Sequence, residues 1–209
     1  MADRARASLT DQAYERLKWK ILTMEIGPGA FLKELDLCAE LGFKRAPVHQ
    51  ALQRLRHDRL VDVLPRKGAV VRALSRRDIA HLIEARLPVE TAIARLAAER
   101  STAEDLGRLG EILSAGPALI AANDREGLIR LDRAFHAGLA AAAGNPVLAA
   151  LAEDLHQRST MLWHLSVSDR RTYEEVQRQH EAILAAVTAR DSERAAAAIA
   201  AHLGHFSRD

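Results

Sequence analysis

The sequence predicts a mainly α-helical protein. A winged helix-turn-helix over residues 1–74 is followed by an all-α antiparallel bundle over residues 75–209. Three observations carry that expectation. Residues 32–57 read as two short helices around Leu41-Gly42-Phe43, the second of them basic. Two β-type runs follow at once, around Pro65-Arg66-Lys67-Gly68. Beyond Ser75 everything carries helical signals.

Taken in order, Ser8-x-x-Asp11 is a capping start for a first helix. Ala13, Leu17, Ile21 and Met24 lie along one face of it, and Gly27-Pro28-Gly29 should end it. Next, Leu32, Leu35, Cys38 and Leu41, then Val48, Ala51, Leu52 and Leu55, fall at helical intervals. Gly42 stands where the first of these helices must stop and the chain must turn. The second opens with Lys44 and Arg45 and carries His49, Gln50, Gln53, Arg54 and Arg56 outside. Such a helix is sized to enter a DNA major groove, although the same spacing suits an ordinary helical hairpin with a solvated face. The hairpin of Leu60-Val61-Asp62-Val63-Leu64 and Ala69-Val70-Val71-Arg72 then offers Arg66 and Lys67 to a phosphate backbone or a minor groove. Two basic elements at the spacing of one fold favour DNA.

In the second region Ser75-x-x-Asp78, Ser101-x-x-Glu104 and Thr172-x-x-Glu175 read as capping boxes, with further starts at Asn145-Pro146 and Asp191. The spacing predicts helices over 76–99, 102–121, 124–142, 146–165, 173–189 and 192–206. The clearest breaks are Gly144-Asn145-Pro146 and residues 166–171. Pro88 should kink or split the first of these helices.

Composition sets the outer bounds. With 209 residues, 48% of them hydrophobic, the chain can bury a core and is globular. A net charge of +2 announces nothing, but up to Arg77 basic residues outnumber acidic ones. A single cysteine, Cys38, excludes an internal disulfide and suits a reducing compartment. The opening MADRARASLT lacks an apolar signal region, and no stretch reaches membrane-spanning length, so a cytoplasmic protein without membrane contact is expected.

Nine histidines raise a metal question. His57, His81 and His205 need no special role. Asp132 and His136 stand four apart and share a stripe with Ile129 and Phe135. His180 precedes Ile183, Leu184 and Val187 at core spacing; His202 follows Ile199 and precedes Leu203 and Phe206. One carboxylate and three imidazoles from three helices suit a divalent transition metal. Spacing alone favours the plainer alternative, a set of separately satisfied buried histidines.

The first third of the chain resembles the GntR-type bacterial transcription regulators. The resemblance rests on Ala13-Tyr14-Glu15, Ile21-Leu22, Gly27-Pro28-Gly29, Leu37, Ala39, Leu41-Gly42, Arg45-Ala46-Pro47-Val48, Ala51-Leu52, Leu55, Leu60-Val61 and the run from Pro65 through Val71. It implies DNA contacts from Lys44, Arg45, Pro47, His49, Gln50 and Arg54, and from Arg66, Lys67 and Gly68 in the wing. The family often has an arginine near Leu35, a serine at Lys44 and an arginine at His49; these departures imply an unusual operator.

The remainder resembles the FCD ligand-binding domain of the FadR-type branch. The matching features are Glu84-Ala85-Arg86 with Glu90, Ala97-Ala98-Glu99-Arg100, Asp132-Arg133-Ala134-Phe135-His136, Gly144-Asn145-Pro146, Gln179-His180-Glu181-Ala182-Ile183-Leu184 and Ala201-His202-Leu203. In the metal-binding members one aspartate and three histidines are the ligands, which carry over to Asp132, His136, His180 and His202. Zinc is the first expectation, with nickel, manganese or iron as alternatives. The resemblance further implies a homodimer, double-stranded operator DNA and a small carboxylate effector, an organic or sugar acid. Arg86 is the candidate second contact to that carboxylate; a salt bridge with a neighbouring glutamate is the competing reading. Trp163 and His164 suit a structural role better than a pocket-lining one.

The expected function is therefore a ligand-responsive transcriptional regulator, a repressor and not an enzyme. Two other readings compete: a metal-dependent hydrolase, whose ion would activate water, and a DNA-binding dimer with a purely structural bundle. No general base is positioned by motif for the hydrolase, and the basic winged helix would be left unexplained.

Overall fold

The structure is a computed structural model that describes residues 8–64, 68–73, 75–166 and 170–205, with residues 76, 160–166 and 205 described by backbone alone. It divides into two compact units, Met1–Ser75 and Arg76–Asp209. The protein is mainly helical, with one small sheet in the first unit.

The first unit runs α1 (Leu9–Leu22), β1 (Phe31–Leu32), α2 (Glu34–Leu41), α3 (Arg45–His57), β2 (Val61–Leu64) and β3 (Gly68–Val71). Ser8 and Asp11 form the capping box at the start of α1. The helix packs on α3 and buries Ala13, Leu17, Ile21 and Leu22, while α3 buries Val48, Ala51, Leu52 and Leu55. α1 ends earlier than the glycines at 27 and 29 suggest. The Thr23 hydroxyl bonds the carbonyls of Trp19 and Lys20, and Met24 turns to a left-handed φ of 60°. A side-chain oxygen competing for the last carbonyls stops the helix there, so Met24 lies outside its face.

The inward face of α2 also differs from the expected one. Leu37 and Leu41 are buried and Leu35 is 74% exposed, because the helix starts at Glu34 and Leu32 belongs to β1. Gly42 terminates α2 with φ 71°, a conformation open to glycine at little cost.

The hairpin is present, and β1 joins it to give an antiparallel sheet of order β1-β3-β2. A two-residue strand carries no periodicity, so β1 was invisible to pattern. At Gly68, φ is 101° and an added Cβ would lie 2.6 Å from the Leu32 carbonyl oxygen. This glycine is demanded by the approach of β1, whatever else it touches. Gly68→Ala is expected to lower the thermal stability of the chain by about 1–3 kcal/mol, read from urea unfolding; an unchanged midpoint would contradict the tight contact. Pro65, Arg66 and Lys67 at the wing tip lie outside the described residues.

The second unit runs α4 (Arg76–Arg100), α5 (Ala103–Ser114), α6 (Gly116–Ala122), α7 (Arg125–Ala142), α8 (Pro146–Ser166), α9 (Arg170–Thr188) and α10 (Ser192–His205). Pro88 does not split α4, which continues through it. α4 packs against α7, α8, α9 and α10, and packing of that extent outweighs one missing backbone bond.

The single helix expected over 102–121 is two, because Pro117 opens α6 and its ring bars α5 from continuing. The capping box at α5 is Thr102 with Asp105, one residue later than Ser101 with Glu104. Ser101 is buried and receives Arg190 instead. Thr172 lies inside α9, which starts at Arg170. Asn145 caps α8 and Asp191 caps α10.

The core of this unit gathers Ile93, Ala94, Ala97, Leu109, Phe135, Leu139, Ile183, Val187, Ala195 and Ile199. The alanines let α4 and α10 approach closely, which brings the polar positions on α4, α7, α9 and α10 to one place.

Candidate metal centre and DNA-reading helix

Asp132 and His136 lie one turn apart on α7; His180 stands on α9 and His202 on α10. All four are buried, and one donor atom from each lies within 4.8 Å of the others. Asp132 Oδ1 is 3.4 Å from His180 Nε2 and 3.9 Å from His136 Nε2. The His180 and His202 rings are 4.7 Å apart between centroids. Two donors each about 2.1 Å from one tetrahedral ion stand roughly 3.4 Å apart, so these separations suit atoms around an ion better than hydrogen bonds.

The same atoms show that the set is incomplete by itself. His136 Nε2 and both ring nitrogens of His180 are buried without a hydrogen-bond partner. Each orphaned group of this kind costs about 1–3 kcal/mol. Three imidazoles and a carboxylate are the donor chemistry of a divalent transition metal, and the residues fit that group.

Partners on the outer side set the protons. His136 Nδ1 is 2.8 Å from Glu90 Oε2, and His202 Nδ1 is 3.0 Å from Gln179 Oε1. Gln179 Oε1 accepts the His202 ring N–H, which leaves His202 Nε2 with its lone pair, whereas Glu90 Oε2 lies at ion-pair distance from His136 Nδ1 without hydrogen-bond geometry. Asp132 Oδ2 is 3.0 Å from His156 Nε2 on α8.

Burial pushes His180 down to about 3 and holds His202 well below the ordinary histidine range. Both are neutral at neutral pH, as ligands must be. Burial pushes Asp132 up, but the hydrogen bond from His156 and the surrounding histidines outweigh it and keep the carboxyl well below its usual range. In Glu90, burial is likewise outweighed, there by Arg86 and His136.

Arg86 takes the salt-bridge alternative. It is buried on α4, with Nε 2.6 Å from Glu90 Oε1 and Nη2 3.1 Å from His156 Nδ1. Its Nε and Nη2 are engaged within the protein. Sequence reasoning missed His156 altogether; it shares a face with Ala149 and Ala152, and that spacing was the available signal.

A cavity of about 450 Å³ lies beside this cluster, among α4, α7 and α8. Ile93, Leu139, Ala140 and Ala149 give it apolar walls, and Glu90, Arg133, His136 and His156 give it polar ones. Among the described residues Arg133 has no ion-pair or hydrogen-bond partner. The side chains of Trp163 and His164 lie outside the described residues.

In the first unit, α3 exposes Arg45, His49, Gln50, Gln53, Arg54 and Arg56. Lys44 precedes it in extended conformation, and Pro47 sits in its first turn. Glu34, at the start of α2, reaches two of these residues: its carboxylate accepts from Arg45 Nε at 2.9 Å and lies 2.6 Å from His49 Nδ1. No sequence signal separates Glu34 from an ordinary first-turn acid, because its partners are 11 and 15 residues away. Gln50 accepts from Thr10. Arg54 bonds Asp11 at 2.6 Å and lies 3.9 Å from the centre of the Tyr14 ring, so it ties α3 to α1.

Residues 9–71 match the model for bacterial regulatory proteins of the gntR family, and residues 81–205 match the FCD domain. The chain belongs to the GntR family and is a transcriptional regulator with a helix-turn-helix DNA-binding region and an FCD domain. It is similar to an uncharacterized HTH-type transcriptional regulator of Agrobacterium vitis, 36% identical over 140 residues, covering 66% of this chain and 82% of the relative. Escherichia coli McbR/YncC has the same fold with TM-score 0.85 and 26% identity, covering 95% of each chain. A GntR transcriptional regulator from Rhodococcus sp. RHA1 matches with TM-score 0.80 and 26% identity, again over 95% of each chain. These are regulators and not enzymes, which removes the hydrolase reading. Among the described residues no helix is long and apolar enough to cross a membrane.

Proposed function

We propose that the chain is a ligand-responsive repressor that binds double-stranded operator DNA as a homodimer and senses a small carboxylate through a bound divalent metal. The observation that carries the metal reading is the set of buried, partnerless nitrogens on His136 and His180 converging on Asp132. Asp132, His136, His180 and His202 would hold the ion, and zinc suits three imidazoles and one carboxylate, with nickel, manganese or iron as alternatives. When bound, it would supply a Lewis-acidic centre, which a carboxylate oxygen would join by expanding the coordination beyond the four protein ligands.

The effector's place is the adjacent cavity. Because Arg86 is held by Glu90, the cation that greets the carboxylate is Arg133, while Ile93, Leu139 and Ala149 accept an apolar portion. The functional division follows residues 1–74 for DNA and 75–209 for sensing. On DNA, Lys44, Arg45, Pro47, His49 and Gln50 face the groove, with Arg66, Lys67 and Gly68 in the wing. Arg54 joins this set from the exposed face of α3, where it also bonds Asp11. An effector that prefers one dimer geometry shifts the population of half-site spacings and thereby the affinity for the operator.

A thermal-shift screen of organic and sugar acids, run with and without added zinc, tests the reading. One acid class should raise the midpoint only when metal is present. Equal shifts with and without metal would detach the effector from the ion.

A further inference from the structure

Behind the metal ligands lies a second layer in which one residue can only donate. Arg86 offers five N–H groups and accepts nothing. Its Nη2 lies 3.1 Å from His156 Nδ1, so Nδ1 is the accepting nitrogen and the ring proton sits on Nε2. That N–H is 3.0 Å from Asp132 Oδ2. Asp132 is thus held by one oxygen and presents the other, Oδ1, to His180 Nε2 and His136 Nε2.

A second arm runs through Glu90. Arg86 Nε holds Glu90 Oε1 at 2.6 Å, and Glu90 Oε2 faces His136 Nδ1 at 2.8 Å. That contact is an ion-pair distance without hydrogen-bond geometry; it sets a carboxylate oxygen beside Nδ1 and leaves Nε2 on the side of Asp132. Two of the four ligands are aimed by the same guanidinium, each through one intermediary.

We propose that Arg86 is a positioning residue of the metal centre: through His156 it fixes the orientation of Asp132, and through Glu90 it holds a carboxylate against His136. The proposal rests on the metal reading above. It also decides the stoichiometry. Glu90, His136 and His156 bring donor atoms close enough to hold an ion of their own. Arg86 already pairs with Glu90 and donates to His156, so a fixed cation engages two of these three residues. One ion per subunit follows, not two.

The test uses the full chain and reads metal affinity by chelator competition, together with the visible absorption of the cobalt-loaded protein. His156→Leu breaks one arm; Arg86→Gln with Glu90→Gln removes both buried charges together, so neither is left unpaired. Both variants should bind metal 10–100-fold more weakly and show an altered cobalt spectrum, with helical content retained by circular dichroism. His156→Gln keeps an acceptor toward Arg86 and an N–H toward Asp132, and should restore both readouts. Nitrogen-15 NMR of the metal-free protein should place the His156 proton on Nε2.

Wild-type affinity and spectrum in His156→Leu would overturn the proposal, as would a proton on His156 Nδ1 or two ions per subunit. Should His156→Gln fail as completely as His156→Leu, His156 would be a ligand and not a positioner. A wild-type chain that takes up no metal overturns this proposal and the metal reading together, whereas normal uptake by every variant overturns this proposal alone.

Discussion

His180→Ala should abolish metal-dependent stabilisation of the protein while leaving its helical content intact. His180 is fully buried on α9, and neither ring nitrogen has a hydrogen-bond partner. Its imidazole therefore does little for the metal-free fold beyond filling space beside Phe135, whose ring centre lies 4.7 Å away. With metal at a hundred times its dissociation constant, the wild-type chain gains about 2.7 kcal/mol, or roughly 5–10 °C in melting temperature for a chain of this size. The variant should show no such gain, because three remaining ligands hold an ion far more weakly. Differential scanning calorimetry with and without zinc measures it directly. A variant stabilised as strongly as wild type would move the ion to other residues.

Arg45→Ala should remove specific operator binding from a protein that still folds. Arg45 stands at the first turn of α3, exposed apart from its contact with Glu34. Loss of a bidentate arginine contact to a base costs about 1–3 kcal/mol, and the proposed homodimer would lose it twice. Fluorescence anisotropy on the native operator should show at least a tenfold weaker complex. Wild-type affinity itself should fall steeply with salt, since several phosphates are neutralised. Unchanged binding by Arg45→Ala would take this helix out of the groove.

The fold was legible where a single physical signal dominates. Gly42 marks the end of α2 because few other residues turn left-handed so easily, and α3 reads plainly from four apolar positions that all prove buried. Pattern misled where two signals compete. Leu35 keeps helical spacing with Cys38 yet faces outward, since Lys33 and Glu34 set the start of α2 and with it the phase. Pro117 was read through as part of one helix, although a proline after Gly116 is a start signal.

At the candidate metal centre, the phase of Asp132, His136, His180 and His202 with Phe135, Ile183 and Ile199 marked them as inward-facing, but spacing alone favoured separately satisfied histidines, and only the FCD resemblance implied that they meet. Their supports were not legible. Arg86 and Glu90 advertise an i, i+4 pair, but nothing local says that His156, 70 residues from Arg86, joins them. Long-range hydrogen bonds between helices leave no periodic trace, and the same holds for Glu34 beneath Arg45 and His49.

The central claim is that the buried quartet holds an ion on which effector sensing depends. Elemental analysis of the purified chain, alongside effector titration of its operator complex before and after chelation, tests it most directly. About one divalent transition ion per subunit is expected, with loss of the effector response when the ion is stripped. A metal-free protein with full effector response would contradict it.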